Sequence, residues 1–312
     1  MSAPAIPVPE TAAEARAPGD VRRGGWIIRI TIVAIVVLWL IPTVGVLITS
    51  FRTEELVVSS GWWTALAHPF RAAEWTLENY RTALDAAGFG NAFMNSLAVT
   101  IPATVLPISI AAFAAYAFAW MDFKGRYVLF VVVAGLLVVP LQMALIPILR
   151  LYADGAVLFG RRIFPDLDLN GTFLGVWLAH AGFGLPLATY LLTNYIRMLP
   201  SSLIESAKID GADHFTIFWR LVVPLSVPAL AAFAIFQFLW VWNDLLVALV
   251  FLGGSSENQV LTVALRNLLG GRGEDWQVLT AAAFISMSLP LIVFFSLQKY
   301  FVRGLTAGAV KG

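Results

Sequence analysis

Few residues in this 312-residue chain are placed to make or break bonds. There are no cysteines, which excludes thiolate chemistry, disulfides and Cys-based metal sites. His68, His180 and His214 lie far apart and show no metal-ligand spacing. No GxxxxGK[ST] phosphate loop occurs, and no Ser/His/Asp cluster or carboxylate pair sits at one depth. No catalytic residue, no metal and no cofactor bound by this chain are expected. Recognition chemistry is better provided for. The stretch Ser201–Pro224, SSLIESAKIDGADHFTIFWRLVVP, alternates Glu205, Lys208, Asp210, Asp213, His214 and Arg220 with Leu203, Ile204, Ala207, Phe215, Phe218 and Trp219. Such an amphipathic insert suits a helix-in-groove contact with a partner. An interfacial helix touching only lipid headgroups fits the same pattern equally well.

The stretch is flanked by apolar runs that must hold it. The chain is 59% hydrophobic and 12% charged, about half the charge fraction of an ordinary soluble protein. It reads as a membrane protein. Its net charge of +1 gives no basic field for nucleic acid. Residues 1–25 are rich in Ala, Pro and Glu and read as a disordered tail. Apolar runs at about 26–50, 93–119, 127–150, 172–195, 226–252 and 278–298 each have the length that roughly 30 Å of hydrocarbon requires. The expectation is an all-α, six-span domain over 26–312, with 51–91 as an extramembrane loop partly on the membrane surface. Pro102, Pro107, Pro140, Pro147, Pro186 and Pro290 fall within runs and can bend them. Small residues at 111–117 would permit close helix contact.

An even span count puts both termini on one side. With the termini in the cytoplasm, 12 of the 20 Lys and Arg residues fall inside, including all four lysines, and eight fall outside. The positive-inside rule favours this orientation, which makes 201–224 cytoplasmic. Within it, Pro200 discourages helix before it. Ser202 and Glu205 have the spacing of a capping box, and Gly211 permits the left-handed turn that ends a first helix. Asp213 can cap a second helix, with Pro224 expected to close it.

Polar groups inside spans are expensive and mark candidate pathways. Asn95, Gln142, Trp240, Asn243 and Asp244 are the candidates, Asp244 being the clearest. The alternatives are an interhelical hydrogen bond for Asp244 and packing or interface anchoring for Trp240. For the lone His180 a structural role is the stronger reading.

Glu205-Ser-Ala-Lys-Ile-Asp-Gly211-Ala, ending at Pro224, resembles the EAA loop of ABC-importer membrane subunits. Ser206 stands where Ala is usual, and Leu221 and Val223 where Ile and Leu are usual. The likeness covers nearly all of 26–312 and narrows to carbohydrate permeases of the maltose type. Ala114–Arg126, Pro140–Pro147, Trp242-Asn-Asp244 and the tail Gly304–Gly312 are similar to that family, the tail to the smaller of its two permeases. The resemblance implies a type I ABC importer permease fold in a bacterial inner membrane. It implies a partner permease, two cytoplasmic ATPases that use ATP and Mg²⁺, and an extracytoplasmic binding protein that delivers a sugar, an oligosaccharide or glycoside. It places Glu205, Ser206, Ala207, Asp210, Gly211, Ala212, Phe215 and Pro224 in the ATPase-coupling element. Gly304, Thr306, Gly308 and Lys311 would contact the ATPase through the tail. The outer segment 253–276 resembles the loop that reaches into the binding protein's cleft. The rival is a stand-alone secondary transporter or channel, which would need mid-membrane carboxylates and usually an internal repeat.

Overall fold

Long apolar runs become helices because hydrocarbon offers backbone groups no partner outside the segment. The computed structural model describes residues 20–71, 74–86, 88–253, 257–268 and 275–306. Among these the helices are α1 (Asp20–Ser50), α2 (Glu54–Ser59), α3 (Glu78–Asp85), α4 (Phe89–Trp120), α5 (Arg126–Gly135), α6 (Leu141–Asp154), α7 (Phe173–Arg197), α8 (Ser201–Ile209), α9 (His214–Ile217), α10 (Val223–Trp242), α11 (Leu246–Leu252), α12 (Leu261–Leu268) and α13 (Trp276–Thr306). Five helical stretches are long and apolar enough to cross a membrane, and a sixth span arises if the bent pair α5–α6 counts as one. A two-stranded antiparallel hairpin, Ala156–Leu158 with Arg161–Phe164, is the only sheet among the described residues.

Three expected boundaries shift. Helix α1 starts at Asp20, so 20–25 are helical and not tail, while 1–19 lie outside the described residues. The run 127–150 is not straight. It bends by 108° between Val138 and Leu141. Pro140 removes a backbone donor and forces Val139 into extended geometry, with φ −72° and ψ 118°. The run 226–252 also breaks. The Asn243 side chain donates to the Leu239 carbonyl at 2.7 Å, and Asp244 Oδ2 accepts from the Ala248 N–H at 3.0 Å, starting α11. Short polar side chains compete in this way with helical backbone bonds.

Helices α4, α7, α10 and α13 form the central bundle. Ala111, Ala112 and Ala115 of α4 are buried beside Ala188 and Leu192 of α7, so the small side chains permit close approach. At the α8 end the core holds Tyr116, Ile196, Ile204, Ile217, Phe218 and Val222. At the opposite end it holds Val99, Tyr152, Val176, Phe251, Val260 and Val263. Helix α1 packs on α13, but from Trp26 to Ile41 its large apolar side chains are exposed, which suits lipid. Just beyond α1, the buried Arg52 donates to the Ser60 carbonyl and hydroxyl, bracing the two ends of α2 against each other.

Candidate docking site

Helix α8 has Pro200 at its N-cap and no side-chain cap hydrogen bond. The expected Ser202–Glu205 capping box does not form. Pro200 takes the cap position, so Ser202 falls inside the first turn, where its hydroxyl no longer faces the third amide. Ile204 is buried, whereas Glu205, Ser206, Lys208 and Asp210 are exposed. Among the described residues the Glu205 side chain has neither a hydrogen bond nor an ion pair.

The end of α8 follows from one glycine. Gly211 has φ +81°. Its N–H donates to the Lys208 carbonyl at 3.0 Å, and the Ala212 N–H reaches back to the Ala207 carbonyl at 2.9 Å. That pair of bonds is a Schellman ending. Asp213 then caps α9 as expected, its carboxylate accepting from the Thr216 N–H at 2.8 Å. The hydrogen bond from Thr216 holds the Asp213 carboxyl below its usual 3.8.

Pro224 does not close this second helix. Five residues, Phe218–Val222, wind as a π turn, the Val223 N–H donating to the Phe218 carbonyl, and the chain runs on into α10. Pro224 follows directly on the π turn, as the second residue of α10. Residues His214–Trp242 thus form one continuous rod from the loop into the fifth span.

The loop is also tied sideways. The Tyr116 hydroxyl of α4 lies 2.8 Å from His214 Nδ1. Phe218 stacks on Phe113 with centroids 4.6 Å apart. Arg197, at the end of α7, donates to the Phe118 carbonyl and lies over the Phe130 ring. Its free face carries Leu203, Ile209, Phe215 and Trp219, of which Ile209 is 86% exposed and Phe215 67%. Glu205, Ser206, Asp210, Gly211 and Phe215 are all exposed on the loop, with Ala207 and Ala212 half-buried and Pro224 apart on the rod. Sequence reasoning missed Tyr116. Its one signal was a phenol within the small-residue run 111–117.

The tail candidates Gly304 and Thr306 lie at the end of α13, while Gly308 and Lys311 fall outside the described residues. The pathway candidates do not form one cluster. Trp240 packs edge-on against His180, whose Nε2 lies 3.7 Å from Asp244 Oδ2. Asn243 is exposed beside them, and Gln142 is exposed at the start of α6. Asn95 instead donates to the Glu257 and Gln259 carbonyls at 2.8 and 3.1 Å. Gln237, buried, donates to the Ala103 carbonyl and touches Gly184 on α7.

Residues 93–307 match the family described as binding-protein-dependent transport system inner membrane component. An osmoprotective compounds uptake permease protein of Synechocystis sp. is 56% identical over 91% of this chain and 91% of its own length. An alpha-glucoside transport system permease protein of Rhizobium meliloti is 44% identical over 92% of this chain and 97% of its own. A crystal structure of a bacterial ABC transporter involved in the import of the acidic polysaccharide alginate matches with a TM-score of 0.69. It shares 21% identity and covers 91% of this chain and 99% of that one, a likeness of fold.

Proposed function

The chain belongs to the inner membrane components of binding-protein-dependent transport systems, and from that premise we propose that it is the smaller permease of an ATP-driven sugar importer. It moves cargo by alternating access and catalyses no reaction itself. Two cytoplasmic ATPase subunits, using ATP and Mg²⁺, dock on the α8–α9 loop. A second permease completes the pore, and an extracytoplasmic binding protein delivers the sugar. Both termini face the cytoplasm, an orientation supported by the excess of basic residues on that side.

The observation that carries this reading is the join between loop and span. The loop presents an exposed surface containing the unpaired Glu205 carboxylate, and behind it one rod runs through the π turn into α10. A partner that moves the loop therefore moves the fifth span. The Tyr116–His214 bond passes the same displacement to α4. The tail residues Gly304, Thr306, Gly308 and Lys311 are assigned to ATPase contact on family resemblance. Of the pathway candidates, Gln142 and Asn243 keep exposed side chains for cargo. Trp240 and Asp244 border Asn243 and meet at His180.

The names of two relatives support a narrower cargo class. One is named for osmoprotective compounds and one for alpha-glucosides. A small, neutral, polyhydroxylated α-glucoside meets both descriptions, so trehalose and sucrose are the probes. Affinity purification of the tagged chain from native membranes should bring down a nucleotide-hydrolysing subunit. Membranes should take up labelled trehalose or sucrose in competition with other α-glucosides. A chain that transports without an ATPase subunit overturns the reading.

A further inference from the structure

At the end of the bundle opposite α8, the segment from Glu257 to Leu268 is fastened to three separate elements. Asn95 on α4 uses one side-chain amide to hold two carbonyls, Glu257 at 2.8 Å and Gln259 at 3.1 Å. Two carbonyls two residues apart, gripped by one planar donor, fix both the position and the direction of the strand between them. The neighbouring Ser96, itself buried, accepts from the Leu261 N–H at 2.8 Å, so α12 takes its capping oxygen from a different helix. Asn258 donates to the Gly171 carbonyl just before α7, at 3.2 Å. The Thr262 hydroxyl donates to the Asp244 carbonyl at the α10–α11 break, at 2.6 Å. Beneath these bonds Val260, Leu261, Val263 and Ala264 are buried, whereas Glu257, Arg266 and Asn267 face outward.

A loop without regular structure would be expected to hang freely over the bundle. This one is a preset surface. We infer that Asn95 is a positioning residue, which holds the segment 257–268 in one arrangement so that the extracytoplasmic binding protein meets Glu257, Arg266 and Asn267 already ordered. The inference rests on the importer reading above. Ordering the surface beforehand removes a conformational cost that binding would otherwise carry. The same bonds lead into α4, α7 and the break in the fifth span, so a partner seated on the segment acts on the helices that the coupling loop touches from the other end. The Asn95 amide N–H groups are used on backbone carbonyls.

The absence of cysteines permits a direct test. A nitroxide at Arg266→Cys in the importer, reconstituted in nanodiscs with its partner subunits, reports the mobility of the segment. With wild-type Asn95 the label should be ordered. With Asn95→Leu, close in size but without donors, it should become mobile, and Asn95→Gln, which keeps the amide, should restore part of the order. The concentration of trehalose-loaded binding protein that half-saturates ATP hydrolysis should rise about tenfold in Asn95→Leu, while the rate at saturation is kept. Ser96→Ala, which removes a single hydroxyl, should shift the half-saturation in the same direction by less. An unchanged label mobility overturns the inference. So does a loss of saturated rate and melting temperature with no change in half-saturation, since that marks a merely structural residue. If the wild-type importer shows no stimulation by any loaded binding protein, the importer reading itself falls, and the binding protein falls as the partner of this surface. The nitroxide comparison then still decides whether Asn95 holds the segment.

Discussion

Replacing Gly211 tests the coupling loop at its narrowest point. The residue sits at φ +81°, and the two Schellman bonds depend on that conformation. Among the described residues, no atom beyond Gly211 and its two chain neighbours lies within 4 Å of an added Cβ. The cost of a side chain is therefore torsional, about 1–2 kcal/mol for an L-residue in the left-handed region. That lowers the share of loops holding the turn by a factor of about 5–30. Asn tolerates the left-handed region better than other non-glycine residues, and β-branched Val tolerates it worst. Sugar moved per ATP hydrolysed, measured in proteoliposomes, should fall in the order Gly, Asn, Ala, Val. A limit set by bulk against the partner's surface gives a different order, because Asn is larger than Ala and should then be worse. Coupling in Gly211→Val equal to wild type, or Asn no better than Ala, refutes the torsional reasoning.

Three further outcomes follow from the packing. Gly184→Ala puts a methyl 2.7 Å from Gln237 Oε1 and displaces an amide that donates to the Ala103 carbonyl; the protein should lose about 1–3 kcal/mol, seen as a lower melting temperature in detergent, and Gly184→Ala/Gln237→Ala should recover part of it. Tyr116→Phe removes the 2.8 Å contact with His214; deuterium should enter the α9 amides faster by the equivalent of about 0.5–1.5 kcal/mol, with α7 unaffected, and an unchanged rate speaks against the tie. Because the Asp213 pKa is lowered by its Thr216 hydrogen bond, the cap is complete above the ordinary 3.8 and is lost as pH falls through the lower folded value; α9 amide protection should fade only in that acid window, and Asp213→Asn should remove the pH dependence.

The spans, the loop and its turn were legible because each depends on local chemistry. Gly211 and Asp213 act within four residues of themselves, and the structure places both as the sequence suggests. Ser202–Glu205 misled because the spacing was right but Pro200 had taken the cap position. Pro224 misled in a different way. A proline usually stops or kinks a helix from its interior, and here a π turn lies directly ahead of it and the helical rod runs on. Asn95, Ser96 and Tyr116 were beyond reach for a third reason. Their partners are about a hundred residues or more away, and no period or motif in the chain records a contact made at that distance.

The bend at Pro140 has a consequence for how the chain is made. Helix α5 and the 3-10 turn after it comprise ten and three residues, which at 1.5–2 Å per residue reach about 20 Å. A hydrocarbon layer is about 30 Å thick. When this segment leaves the ribosome it is too short to sit across the bilayer unaided, and the carbonyls freed near Pro140 have no neighbour. Its main neighbour is α7, which begins at Phe173, some forty residues later in synthesis. The folded geometry therefore predicts that the third span enters the membrane together with the fourth.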